Sequence, residues 1–246
     1  MPALHWRPLF PLLMFLMLAS GCDLIGPLLR DRGGDDEDDD KKEEQLDLEL
    51  CDPEEQTFTL DIDNDYFPLP VGRQWFYEGE EDGVPVALRI TVFDETEVIA
   101  GVTTRVVEER EWEDDELIEV SRNYFAQTRK GTVCYFGEDV DIYEDGEIVS
   151  NEGAWRADES GNAPGIYMPK HPRVGMSFQQ EAAPGIAEDT AEVIERGETV
   201  SVPYGTFKKT IRTEDCNLLD GDCGEKVYAR GLNLIIDGPV QLVRVE

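Results

Sequence analysis

The chain has 246 residues and a formal net charge of −33, from 55 acidic against 22 basic side chains. Clustered Lys and Arg displace counterions from nucleic acid, so this balance argues against a nucleic-acid partner. Anionic headgroups repel such a surface too, so membrane contact has to come through a lipid rather than a basic patch.

Residues 1–21 read as a secretory leader: the single cation Arg7, an apolar run from Leu9 to Leu18, then Ala19-Ser20-Gly21. The run falls short of the roughly 20 residues a spanning helix needs, and Pro8 and Pro11 interrupt its start. Cys22 directly follows the small residues, a layout that resembles the bacterial lipobox. That resemblance implies cleavage before Cys22 and lipid attachment at its thiol; an ordinary cleaved leader with a free Cys22 is the rival. Ala19 occupies the place of the usual lipobox leucine, with Leu18 one position further back. The expected location is a bacterial cell envelope, lipid-anchored and facing the periplasm or the exterior, with the membrane as partner through the N-terminal lipid.

Residues 22–50 are expected to be a disordered acidic tether. The stretch Asp31 to Glu44 reads DRGGDDEDDDKKEE, which self-repels and has no apolar residue to bury. A spacer is the favoured role, and a loose calcium-collecting tail the minor one. Residues 51–246 then make one domain of about 195 residues, enough for a single core. Its four cysteines form an even set in an exported chain and allow three pairings. Cys216 and Cys223 flank a hairpin loop and can be joined across its base, leaving Cys51 with Cys134.

From Phe58 onward the pattern is strand after strand. Phe58, Leu60 and Ile62 alternate with polar residues, as do Val86, Leu88, Ile90 and Val92. Ile118, Val120 and Tyr124 share one face, with Glu119, Ser121 and Asn123 opposite. Leu232, Leu234 and Ile236 repeat the pattern before Val240 and Leu242. Lys130-Gly131, Asp145-Gly146, Asp220-Gly221 and Asp237-Gly238 are turn signals, and Glu113 to Glu116 a polar hairpin tip. Short connections predict antiparallel neighbours. The expected fold is all-β: one antiparallel meander domain, as a curved sheet or half-barrel, a barrel, or a sandwich. Glu43 to Leu50 and Ile186 to Glu195 are compatible with helix, the second more with strand. The Gly- and Pro-rich region 151–175 is expected to be a long loop or flap.

Tyr66-Phe67-Pro68-Leu69 with Gly72, Trp75 and Tyr77 resembles an opening found in uncharacterised exported bacterial proteins. Tyr135 to Asp139, Tyr143 to Gly146, Gly153-Ala154-Trp155, Pro164-Gly165-Ile166 and Pro172 to Gly175 are similar to later parts of one such family. So are the Val200–Phe207 hairpin and Tyr228 to Leu232. The resemblance spans Tyr66 to Glu246 and implies an all-β domain, with no assigned activity and hence no catalytic residue to carry over. Cys134 and Arg230 depart from the pattern, standing where an aromatic and a proline are expected.

Catalytic signatures are few. His171 is the one histidine outside the leader, so a His-dependent triad would rest on it alone, and a loop role is the simpler expectation. There is no Gly-x-Ser-x-Gly elbow, no phosphate loop and no C-x-x-C pair. Carboxylates are plentiful: Asp61, Asp63 and Asp65 alternate, as do Asp139 and Asp141 with Asp145 beyond, and these are weak candidates for Ca2+. Neither set has the glycine an EF-hand loop needs at its sixth position. Rings such as Trp75, Trp112, Phe125, Tyr135 and Tyr167 can fill a core or line a pocket. The expected function is a lipid-anchored envelope protein with a non-catalytic β domain that binds or scaffolds an unidentified ligand. The alternatives are a carrier of an apolar ligand in a β concavity, and a calcium- or carboxylate-dependent glycan binder or hydrolase.

Overall fold

The structure, a computed structural model, describes residues 43–159 and 161–246. The leader, Cys22 and the tether up to residue 42 lie outside the described residues. The first strands in chain order are β1 (Glu44–Gln45), β2 (Phe58–Thr59), β3 (Gln74–Glu81), β4 (Val84–Ile99), β5 (Val102–Glu113) and β6 (Glu116–Thr128). Next come β7 (Val133–Glu144), β8 (Glu147–Ser150), β9 (Trp155–Arg156), β10 (Gly165–Met168), β11 (Met176–Gln179) and β12 (Asp189–Arg196). The chain finishes with β13 (Thr199–Val202), β14 (Gly205–Lys208), β15 (Thr210–Asn217), β16 (Cys223–Ala229), β17 (Asn233–Asp237) and β18 (Val240–Val245). Among the described residues a 3₁₀ turn at Leu48–Cys51 is the single helical element, and no helix is long and apolar enough to cross a membrane.

The fold is all-β, as the alternation predicts, and two hairpin series carry it. Strands β3 to β7 run as one antiparallel meander, and β15 to β18 as another. Strand β18 lies between β17 and β3 and joins the two series. The sheet is mixed, because β1 pairs parallel to β11. Strands β13 and β14, which hold Val200–Phe207, form a separate two-stranded hairpin.

The sheet curls until its ends approach each other. Beside β10, a single bridge joins Ala163 to Ala182, where the Ala163 N–H donates to the Ala182 carbonyl at 2.9 Å. Gly165 sits so close to this edge that a Cβ there would stand 1.8 Å from the Gln180 carbonyl oxygen. A continuous ladder does not form across the gap, so the molecule is a strongly curved sheet and not a closed barrel.

The folded part begins before residue 51. Glu44-Gln45 adds a short strand, and Leu46, Leu48 and Leu50 pack against the core. Apolar spacing in Leu46–Leu50 outweighs the acidity that assigned these residues to the tether. Disulfides join Cys51 to Cys134 and Cys216 to Cys223. The first ties the 3₁₀ turn to β7; the second crosses the base of the β15–β16 hairpin, where the two cysteines are direct partners. Two disulfides mark a protein that folds in an oxidising compartment.

One end of the curl is plugged by the Tyr66-Phe67-Pro68-Leu69 segment. Asn64 donates from Nδ2 to the carbonyls of Gly131 and Pro169, at 3.0 and 3.1 Å, and its Oδ1 accepts the N–H groups of Tyr66 and Phe67. The Gly231 N–H donates to the Asp65 carbonyl at 2.6 Å. These bonds hold Phe67 inside the curl, its ring 4.4 Å from that of Tyr167 and 5.3 Å from that of Phe125. Leu60 and Ile62, read as part of a strand, belong instead to this crossing segment, whose N–H groups bond side chains as well as backbone.

Candidate functional site

The inner face of the sheet changes character along its strands. On β5, buried Val107 is followed on the same face by Glu109 and Glu111. On β15, buried Ile211 is followed by Thr213 and Asp215; on β17, buried Ile235 by Asp237. On β12, read backwards, Val193 and Ala191 give way to Asp189. All these changes run towards the end that holds the hairpin tips at 114–115, 218–222 and 238–239. The plugged end is therefore apolar and aromatic, while the tip end encloses a cavity of about 700 Å³ with an acidic wall. That volume lies within the range of small-molecule sites.

Eight carboxylates face into it: Glu109, Glu111, Glu119, Glu138, Glu181, Asp189, Asp215 and Asp237. Lys226 on β16 is the one cationic side chain among the described residues of the wall, with Nζ 3.6 Å from Asp237 Oδ2. Phe125, Tyr135 and Tyr167 form the floor, while Leu88, Trp112, Val140 and Ile142 make up the apolar part of the wall. Glu152, Asp220, Asp222, Ile186 and Leu219 stand exposed at the mouth.

A β-bulge brings Glu138 inside. Asn123 faces Glu138 and Phe125 faces Tyr135, so Phe136 and Gly137 together oppose Tyr124. Gly137 takes φ +133°, and a Cβ on it would meet the Trp155 carbonyl at 2.3 Å. The extra residue exchanges the two faces of β7 beyond it. Glu138, Val140 and Ile142 turn inward, and Asp139 and Asp141 turn out.

Burial, which disfavours the charged form, raises Glu109, Glu111, Glu119, Glu138, Glu181, Asp189 and Asp215 above their ordinary range. Burial pushes Glu181 up to about 8, reinforced by Asp189 and opposed by Lys226. The Trp155 indole N–H lies beside Glu181 and lowers it slightly, without completing a hydrogen bond. Burial raises Glu109 to about 7 against the pull of Lys226, and Asp215 to about 6. Glu138 is raised well above its usual value by burial and then by the charge of Glu181. Glu111 is raised by burial and then by Glu119. Burial opposes the charge of Lys226, but Asp237, Tyr167 and Asp215 raise it well above the normal ammonium value.

Asp215 is left unsatisfied. Both of its carboxylate oxygens are buried and accept no hydrogen bond from the described residues; Thr213 and Gln180 stand beside it without completing one. Asp189 Oδ1 is likewise unpartnered. Buried polar atoms in native proteins are nearly always paired, so an orphaned carboxylate facing a cavity is notable.

The six aspartates considered for Ca2+ are not brought together. Asp139 is held by Arg156 at 2.7 and 2.8 Å and by the Tyr124 hydroxyl at 2.7 Å. Asp141 accepts from Asn151, Asp63 from Gln127, and Asp65 pairs with Arg230 at 2.8 Å. Asp145 lies in the β7–β8 turn at φ 51°, and Asp61 is exposed. Among the described residues no three His, Cys, Asp or Glu converge closely enough to hold a metal ion. His171 is an exposed loop residue. The region 151–175 is not a free flap. Trp155 is fully buried beside β7, and β10 pairs with β7, although Glu152, Gly153 and Tyr167 do line the cavity.

The alternation of β5 held the signal for the missed carboxylates. Val107, Glu109 and Glu111 share one face, so acids there must continue a buried stripe. On β6 the polar face of Glu119 and Asn123 reads as solvated, yet it looks into the cavity. The chain matches no protein-family profile, no curated protein and no solved structure.

Proposed function

We propose that this protein is a non-catalytic binding protein of the bacterial envelope, anchored through a lipid on Cys22, that holds a small ligand inside its β concavity. The observation that carries this reading is the cavity of about 700 Å³, closed at one end by Phe67 and open at the other between hairpin tips. Its walls combine rings and aliphatic side chains with charged groups, the mixture typical of sites that both bury and orient a ligand. The two disulfides agree with an exported protein.

Eight carboxylates on the wall make a purely apolar cargo a poor fit, since each would lose water without gaining a partner. The test is native mass spectrometry of the full chain purified from its own host. A retained small molecule together with an acylated N-terminal cysteine supports the reading. An intact leader overturns the anchor, and a bare protein mass overturns the ligand-binding role.

A further inference from the structure

The ligand class follows from the imbalance of charge inside the cavity, and the inference rests on the binding role proposed above. Eight carboxylates surround one ammonium, and Lys226 is already engaged by Asp237. Asp215 has two buried oxygens that no donor among the described residues reaches, and Asp189 has one. An enclosed, uncompensated carboxylate is among the most unfavourable groups a fold can carry, unless a cation arrives to pair with it. The missing partner therefore carries positive charge and hydrogen-bond donors.

The placement of the acids selects among cations. They come from β5, β6, β7, β12, β15 and β17 and from the segment after β11, so they surround the cavity rather than meet at a point. A single metal ion needs several oxygens within about 2.6 Å of one centre, and among the described residues no such group exists. Separated charges spaced by apolar surface match this wall better. Leu88, Val140 and Ile142 offer that surface, and the rings of Phe125, Tyr135 and Tyr167 add to it at the floor.

We propose that the cavity binds an organic polyamine, a flexible chain carrying two or more ammonium groups. Its cations pair with the carboxylates of Glu138, Glu181 and Asp215, and its methylene spacers lie along Leu88, Val140 and Ile142. Binding draws these acids into their charged form, so protons leave as the amine enters, and uptake is tighter at pH 8 than at pH 5.

The test is titration calorimetry of the full chain with spermidine, octanediol and calcium chloride, each at pH 8 in two buffers of different ionisation enthalpy. Spermidine is expected to bind with a heat that differs between the buffers, reporting proton release. The double variant Glu138→Gln, Asp215→Asn is expected to lose at least about tenfold in affinity, as removal of closely paired charges does. Because the segment 35–40 is itself acidic, a control variant carries Asp38→Asn, Asp39→Asn and Asp40→Asn. It is expected to bind spermidine as the parent does. Thermal melts confirm that each variant folds, and Glu109→Gln serves if the double variant does not. Loss of spermidine binding in the control variant but not in the cavity variants overturns the proposal, since the amine would then sit on the tether. Octanediol or calcium binding that responds to the cavity variants, without spermidine binding, overturns the polyamine class and leaves a binding cavity standing. No heat from any of the three, with no ligand retained from the host, overturns both.

Discussion

Lys226 Nζ stands 3.6 Å from Asp237 Oδ2 across the β16–β17 ladder, the one ammonium among the described residues on a wall of carboxylates. Its charge pulls down Glu109, Glu181, Asp189 and Asp215, which lie on four different segments of the wall. Replacement by Gln removes that shared counterion. Lys226→Gln is expected to destabilise the protein by about 3 kcal/mol at pH 8, as loss of one partner from a buried pair does. The same change is expected to strengthen spermidine binding, because the ligand then supplies the absent charge. Urea unfolding with and without spermidine measures both effects.

Stability is expected to fall as pH rises from about 5 to 9. Glu109 and Glu181 titrate in the unfolded chain near 4.5, and in the folded protein near 7 and 8. Between those values the unfolded state has released protons that the folded state keeps, so rising pH favours unfolding. Lys226, raised well above its ordinary value, acts in the same direction at higher pH. Glu181→Gln is expected to flatten the slope and to raise Tm at pH 9, by about 2–4 °C for each kcal/mol recovered. Melting curves at unit pH steps decide it; a maximum at pH 8 or above would contradict the assignment.

Gly165→Ala is expected to open the seam beside β10. The added methyl would stand 1.8 Å from the Gln180 carbonyl oxygen, and backbone at both sides leaves little room to yield. Overpacking of this kind costs about 1–3 kcal/mol. Faster hydrogen exchange at Ala163, whose N–H bonds the Ala182 carbonyl, would locate the damage at the seam.

The two disulfides differ in the length of chain they close. In the loop-entropy account the 83-residue separation of Cys51 and Cys134 is worth about 4.5 kcal/mol. The 7-residue separation of Cys216 and Cys223 is worth about 2.5 kcal/mol. Paired Cys→Ala variants are expected to lose stability in that order in urea. Equal losses would mean that local packing, not chain closure, sets the effect.

Strand identity was legible where one face meets the core and the other meets water. Val86 to Val92 follows period two and pairs as a strand, and the Asp-Gly turns at 145–146 and 220–221 fall between strands. Leu232 falls instead in the turn before β17, where Leu234 and Ile235 are both buried. The same rule misreads β6. It assigns Glu119 and Asn123 to solvent, because a polar face inside a curled sheet has the same pattern as one outside it. The inward turn of Glu138 was hidden for another reason: the bulge at Phe136-Gly137 exchanges the faces of β7, and a glycine in a strand does not announce which way the exchange goes. The cavity itself depends on pairings such as β18 with β3, between residues far apart in the chain, which local periodicity does not encode.

The position of β18 also imposes an order of assembly. While residues 240–245 are still absent, β3 offers a bare edge and the two hairpin series have no ladder between them. Neither series can be sealed to the other as it is made, so the protein passes through a stage with two sticky borders. Contacts of such wide sequence separation form slowly. A chain of this design needs shielding from its neighbours until its final ribbon slides home.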